Sequence, residues 1–382
     1  MDDIHRLQLL TAQMHLEPSE DADCYRLSSP QKMNSISISD AIQTNGSRIK
    51  LLKTLLTSVC ERNCYYCPFR SGRDFRRASF SPDEFSRLFI HLNKIGAAEG
   101  IFLSSGVVNG GSYTQDKLID TAVLLRKKYK FNGYIHLKIM PGAEKSQVEQ
   151  AMLLADRVSI NLEAPNTERL SLLAPGKIYD SELLQPLRWI DEIRQANSAD
   201  HAWKGYWPSS ATQFVVGAVG DSDLELLSTS QRLYRQYKLK RAYYSAFSPI
   251  ADTPLENNPP ASPAREHRLY EASFLLRDYG FDVEDLEYDA AGNLPLDIDP
   301  KLAWAQHNLT QPIEINRADS CELLRIPGIG KKGAAAIVTA RHISPIKSLS
   351  ELRPMGVNIA RAAPFVILNG KLPARQLSFN LV

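Results

Sequence analysis

The chain is short of several things. It has five cysteines in 382 residues, only 8% aromatic side chains, and almost no net charge, since 45 basic residues against 43 acidic ones leave +2. So few cysteines exclude a disulfide-built scaffold. Near-neutrality excludes the bulk field that would mark the whole chain as a nucleic-acid or membrane binder. No apolar run reaches the roughly 18 residues that span a bilayer. The segment 1–28 is acidic along its length and holds no run of signal-peptide length, so a cytoplasmic protein with no membrane partner is expected. The 43% of hydrophobic residues, beside 23% charged, exclude a disordered chain and supply one large domain plus a small one.

What is present falls into two parts. Between residues 48 and 280, short β-branched runs alternate with longer amphipathic stretches, the pattern of parallel strands joined by crossover helices. Strands are predicted at 49–57, 100–106, 133–139, 157–163, 212–219 and 241–247, with helix starts at Ser81-Pro82-Asp83-Glu84, Thr114-Gln115-Asp116 and Asp221-Ser222-Asp223. Successive β-then-α units imply an α/β barrel or a doubly wound sheet, with the chemistry at the carboxyl ends of the strands. Residues 1–47 read as an extension, 48–287 as the large domain, 288–312 as a Gly- and Pro-bearing linker, and 313–382 as a separate module. That module holds ten Lys or Arg and four Asp or Glu, a net of +6 against −4 for the rest, so the basic charge is local.

Cys60, Cys64 and Cys67 lie within eight residues directly after the first predicted strand. Clustered thiols in a reducing compartment point to metal. Three thiolates with no fourth nearby would leave one iron of a four-iron cluster open and reactive. Zinc, with His91 as a fourth ligand, is the alternative. The Cys-x3-Cys-x2-Cys spacing resembles the radical S-adenosylmethionine (SAM) superfamily, with Tyr66 as the aromatic residue before the last cysteine. The resemblance implies a partial (β/α)6 TIM-like barrel and a 4Fe–4S cluster held by the three cysteines. It also implies SAM on the open iron, cleaved to a 5′-deoxyadenosyl radical after reduction by a donor such as flavodoxin or ferredoxin.

Further matches to that family are softer. Leu103-Ser104-Ser105-Gly106 stands where the family has a Gly-Gly-Glu facing the methionine amine; it lacks the acid, which leaves the Ser105 carbonyl and the small Gly106. Asn161 and Glu163 alternate onto one side of a strand end, suited to ribose hydroxyls. Gly217, in Phe214–Val219, resembles the strand along the adenine. More narrowly, Leu103–Val107, Phe131–Lys138, Lys240–Ser245 and Arg265–Tyr270 resemble a group described as DNA modification or repair radical SAM proteins. Arg70, Arg73, Arg76 and Arg77, interleaved with Phe69 and Phe75, read as a nucleic-acid lip beside the cluster or as a solvated basic loop.

In the C-terminal module, Ile326-Pro327-Gly328-Ile329-Gly330-Lys331-Lys332 separates two predicted short helices and resembles the helix-hairpin-helix motif, which makes this a small all-α DNA-binding domain. Gly328 and Gly330 would admit a phosphate backbone to a helix N-terminus, with Lys331 and Lys332 adding charge. A weaker second hairpin follows at Leu349–Leu352, Arg353–Gly356 and Asn358–Ile367. The functional expectation is radical chemistry on nucleic acid, DNA rather than RNA, for modification or repair. The alternatives are a small-molecule or peptide substrate, or an iron–sulfur DNA sensor without catalysis. Cys24 is a candidate hydrogen donor to a substrate radical, or else an ordinary buried thiol.

Overall fold

The structure, a computed structural model, describes residues 2–12, 14, 36, 38–42 and 48–372. Cys24 lies outside them. The chain divides into two compact units, Met1–Glu266 and His267–Val382.

In the first unit, β1 (Ile38–Ile42) runs antiparallel to β2 (Arg48–Leu55), and β3 (Gly100–Ser104), β4 (Tyr134–Lys138), β5 (Arg157–Ser159), β6 (Ser209–Val216) and β7 (Arg241–Ala246) follow in parallel. Strand order equals chain order. A doubly wound sheet needs a reversal of order, so the sheet is a curled, barrel-like one. Among the described residues nothing pairs β7 back to β1, and the barrel is partial. The expected strands are all present, one to four residues shorter at their carboxyl ends where the chain turns into loops; β2 begins one residue early, β4 one residue late and β6 three residues early.

The helices of this unit are α1 (Asp3–Thr11), α2 (Pro82–Lys94), α3 (Gly111–Val123), α4 (Lys145–Leu154), α5 (Thr167–Leu173), α6 (Gln185–Ala196) and α7 (Asp223–Gln236), while α8 (Pro263–Asp278) runs through the division. Their starts follow side-chain chemistry. Ser81 and Glu84 form a capping box ahead of α2, as Ser222 and Glu225 do ahead of α7. Phe85, Leu88, Phe89 and Leu92 then bury one face of α2, leaving His91 exposed on the outer face, away from any zinc role. The Thr114 start is displaced: α3 begins at Gly111, and Thr114 instead bonds to the Val108 and Gly110 carbonyls.

The N-terminal segment is part of the barrel rather than an appendage. Leu7 and Leu10 of α1 are fully buried, Arg6 donates to the Ser79 carbonyl and to Glu84 and stacks on Phe80, and β1 extends the sheet edge.

The second unit contains α9 (Pro300–Asn308), α10 (Ser320–Arg325), α11 (Lys331–Ile343) and α12 (Ile359–Ala362) around a core of Ile315, Leu323, Ile326, Ile337, Leu352 and Val366. Two expectations change. The segment 288–312 is not a plain linker, because it carries α9, which buries Ala305 in this core; the division falls after Glu266 rather than at 287. Nor is the unit all-α: β8 (Ile313–Glu314) pairs in parallel with β9 (Val366–Ile367). Among the described residues no helix is long and apolar enough to cross a membrane.

Candidate active site

The loop after β2 carries Cys60, Cys64 and Cys67 along one wall of a cleft whose empty space, its mouth included, is about 920 Å3. Ser104, Lys138, Asn161 and Gln213, from the carboxyl ends of β3 to β6, form the opposite side, and Met14 of the N-terminal segment reaches in. The Val107 amide donates to Cys60 Sγ at 3.4 Å. Burial pushes the Cys64 and Cys67 thiols up, and Lys177 partly reverses this at Cys64. Among the described residues no group of three or more His, Cys, Asp or Glu side chains is arranged to hold a single metal ion.

Glu163 is the most constrained residue of the cleft. Its φ of +66° is left-handed, unusual for a glutamate, and is imposed by ladder bonds from its amide to the Gln213 carbonyl (2.9 Å) and from the Val215 amide to its own carbonyl (2.8 Å). Strain of this kind gathers at functional sites. Its Oε1 accepts from Lys177 at 2.8 Å. Burial opposes its charge, but Lys177 and Lys138 more than offset this and hold the carboxyl below its usual range. Oε2 is buried with no donor in hydrogen-bonding geometry, and the Tyr66 hydroxyl also favours the ionised carboxylate. Ser105 Oγ is likewise buried and unpaired. Asn161 lines the same cleft, but its amide is engaged, accepting from Lys138 and donating to Gln213 Oε1 at 3.5 Å.

Other predicted site residues are placed differently. Gly217 is not among the cleft residues: its φ is +82°, its amide donates to Asp221, and a Cβ there would lie 2.8 Å from that of Ala261, so it serves a turn; Gln213 is the residue β6 sends into the cleft. Arg77 is not a free phosphate ligand. Its guanidinium donates to the carbonyls of Ser58, Phe69, Arg70 and Arg73 and stacks on Phe75 at 4.2 Å. Arg73 is spent likewise on the Ala251 and Pro68 carbonyls, and Arg70 leans over Tyr65. Only Arg76 of the four is exposed. Two of the four guanidinium groups, those of Arg73 and Arg77, are thus spent on backbone carbonyls in and around the loop that follows the cysteines.

In the second unit, Gly328 (φ +83°) packs so that a Cβ would come within 2.5 Å of the Asn358 carbonyl, and Gly330 stands beside the Tyr279 hydroxyl. Gly328 thus serves close packing between the two hairpins, which the bond from the Asn358 amide to the Gly328 carbonyl, at 2.9 Å, ties together. Lys331 pairs with Asp278 at 3.3 Å, whereas Lys332 is exposed.

Sequence reasoning missed Lys177, Lys138 and Gln213. Lys177 and Gln213 are lone polar residues with no motif around them, Lys138 ends a segment read only as a family likeness, and only the curl of the sheet brings the three to one cleft.

The residues fit a 4Fe–4S cluster with SAM: three thiols in one cleft, a glycine at 106 where a side chain would run into the Val59 carbonyl, and buried acceptors on Ser105 and Glu163 left unmatched. Residues 54–199 match the Radical SAM superfamily. None of the curated proteins matches the chain. Among solved structures, HydG, a maturase of the FeFe-hydrogenase, is similar at 11% identity over 59% of this chain and 49% of that one, with a TM-score of 0.46. Methylornithine synthase, PylB, is similar at 14% identity over 61% and 63% (TM-score 0.47), and HydG from Carboxydothermus hydrogenoformans at 16% over 59% and 51% (TM-score 0.44). The chain covers between about half and just under two thirds of the length of these proteins. With the cysteine loop, the cleft and the family match in agreement, the chain carries over residues 54–199 a radical SAM domain, an enzyme domain whose cofactors are a 4Fe–4S cluster and S-adenosylmethionine.

Proposed function

We propose that this radical SAM enzyme acts on a nucleotide within a nucleic acid, DNA before RNA, in modification or repair, and that the helical hairpins of the second unit hold the polymer. The single observation that supports the substrate class is the second unit's surface. Its two hairpins carry exposed Lys332, Lys347 and Arg353, whose side chains form no ion pair among the described residues, and Gly356 (φ +80°) has open space around it. Unpaired cations beside an open backbone suit sequence-independent phosphate contact. Lys331 joins them at small cost, since its exposed pair with Asp278 is worth about 0–1 kcal/mol.

When bound, the cluster and SAM supply a 5′-deoxyadenosyl radical able to take a hydrogen atom, once a low-potential donor of the flavodoxin or ferredoxin class has delivered an electron. Cys60, Cys64 and Cys67 hold the cluster. Glu163 Oε2 and Ser105 Oγ accept hydroxyl or amine protons, and Lys138 and Lys177 keep Glu163 ionised for that purpose. A base in a duplex must be extruded to reach such a cleft, at a few kcal/mol, less for a damaged or mispaired one. Cys24 is proposed to return a hydrogen atom from its thiol to the substrate radical, becoming a thiyl; Cys24→Ala protein that still completes the product without adducts would remove it from that role.

The test is 5′-deoxyadenosine formation by the reduced, cluster-loaded chain with and without duplex DNA, beside duplex affinity at several salt concentrations. Stimulation by DNA, together with weaker binding and a salt slope flatter by up to about two in Lys332→Ala/Arg353→Ala, is expected. Turnover indifferent to DNA would assign a small-molecule or peptide substrate, and DNA binding without any SAM cleavage would assign a sensor.

A further inference from the structure

We infer that Lys177 is a positioning residue for the cluster's redox chemistry: a buried ammonium, fastened to the cysteine loop by its own backbone, that stabilises the reduced cluster. It rests on the radical SAM domain and not on the choice of substrate.

The fastening is built from several contacts. The Tyr65 amide, inside the cysteine loop, donates to the Leu173 carbonyl at 2.9 Å. Arg62, between the first two cysteines, donates to the Gly176 carbonyl and pairs with Glu182 at 2.6 Å. Glu182 in turn accepts from the Ile178 amide at 2.7 Å. Gly176 lies so close to the loop that a Cβ would meet Asn63 Oδ1 at 2.9 Å. The backbone on both sides of Lys177 is therefore locked to the segment that carries the cysteines, and the side chain lines the same cleft as all three.

Its side chain is nearly buried, at 10% exposed, and among the described residues its ion-pair partner is Glu163, itself 4% exposed. A buried ammonium needs compensation. Burial acts against its charge, and the Glu163 carboxylate, as ion-pair and hydrogen-bond partner, helps to outweigh it. The lysine thus lines the cleft that holds the three sulfurs, on a backbone tied to their loop. One-electron reduction adds a negative charge to a cluster already bound by three thiolates. A fixed positive charge lining the same poorly solvated cleft favours that added charge and raises the potential at which the cluster accepts an electron.

The experiment is a mediated redox titration of the full chain, reconstituted anaerobically and held without SAM, with dithionite as the electron source. Without SAM, a shift cannot arise from a lost contact to that molecule. Lys177→Gln is expected to lower the reduction equilibrium about tenfold, about 59 mV for one electron, with Lys177→Arg near the parent. Lys177→Gln/Glu163→Gln is expected between the single variant and the parent, still below the parent. Retention of iron by Lys177→Arg but not by Lys177→Gln would equally support the need for charge. The inference is overturned if Lys177→Gln matches the parent, if Lys177→Arg falls as far as Lys177→Gln, if the double variant reaches the parent, or if neither single variant holds iron.

Discussion

Gly106 lies against the carbonyl of Val59 so closely that no side chain fits between them, with the Cβ of Cys60 only 3.2 Å from where one would begin. The end of β3 therefore sets the position of the first cysteine by contact. Gly106→Ala should push the cysteine loop off the sheet, costing roughly 1–3 kcal/mol of stability and lowering iron after anaerobic reconstitution below the parent's value of about four per chain. Cys60→Ala, Cys64→Ala or Cys67→Ala should abolish the cluster outright. A Gly106→Ala chain with the parent's melting temperature and iron content would show that the loop can yield.

Arg77 and Arg76 are neighbours with opposite duties. Arg77 satisfies four carbonyls beneath the cysteine loop, whereas Arg76 projects from it. Arg77→Ala leaves those carbonyls short of donors and should cost roughly 2–4 kcal/mol, with loss of iron. Arg76→Ala should change stability by less than about 0.5 kcal/mol. Urea unfolding and iron analysis of the two variants, side by side, decide whether the basic loop is scaffold.

Lys301 is buried in the second unit, donating to the Ile329 carbonyl at 2.6 Å and lying 4.8 Å from the Tyr279 ring, with no carboxylate in ion-pair contact among the described residues. The carboxylates that line the surrounding cavity have other partners, Asp299 pairing with Arg361 and Glu271 with Arg268. Burial lowers the Lys301 ammonium to about 7, against about 10.4 in an unfolded chain. Between those values the unfolded chain binds the extra proton. Stability of this unit should accordingly rise with pH from about 7 to about 10, by at most roughly 1.4 kcal/mol per pH unit, and level off below. Hydrogen exchange of the α11 amides, corrected for intrinsic rate, reads this directly. Lys301→Met should remove the slope, and an unchanged slope in that variant would assign it to another group.

Much of this molecule is legible in its residues taken one after another. Strand positions, the capping boxes at Ser81 and Ser222 and the Cys-x3-Cys-x2-Cys loop are local features, set by side-chain alternation, by a hydroxyl three residues from a glutamate, and by thiols a few residues apart. Helix α9 and strand β1 were less visible. The first is short and hidden among prolines, and the second is a polar edge strand whose pairing with β2 depends on the sheet already being there.

The chemistry of the cleft divides the same way. The identity of the metal-binding loop follows from sequence alone, because a cluster needs thiolates and these are clustered along the chain. Whether a glycine or arginine serves a ligand or the fold was decided only by tertiary packing. Gly106 and Gly328 are both forced by a neighbouring carbonyl, yet only the first borders the cleft. Arg77 turned inward because buried carbonyls left without donors cost more than a surface charge is worth. Glu163 and Lys177, 14 positions apart, become an ion pair against the cysteines only once the sheet has curled and the loop after α5 has closed on Arg62. Sequence determined which atoms are available, and packing determined which of them remain free to act.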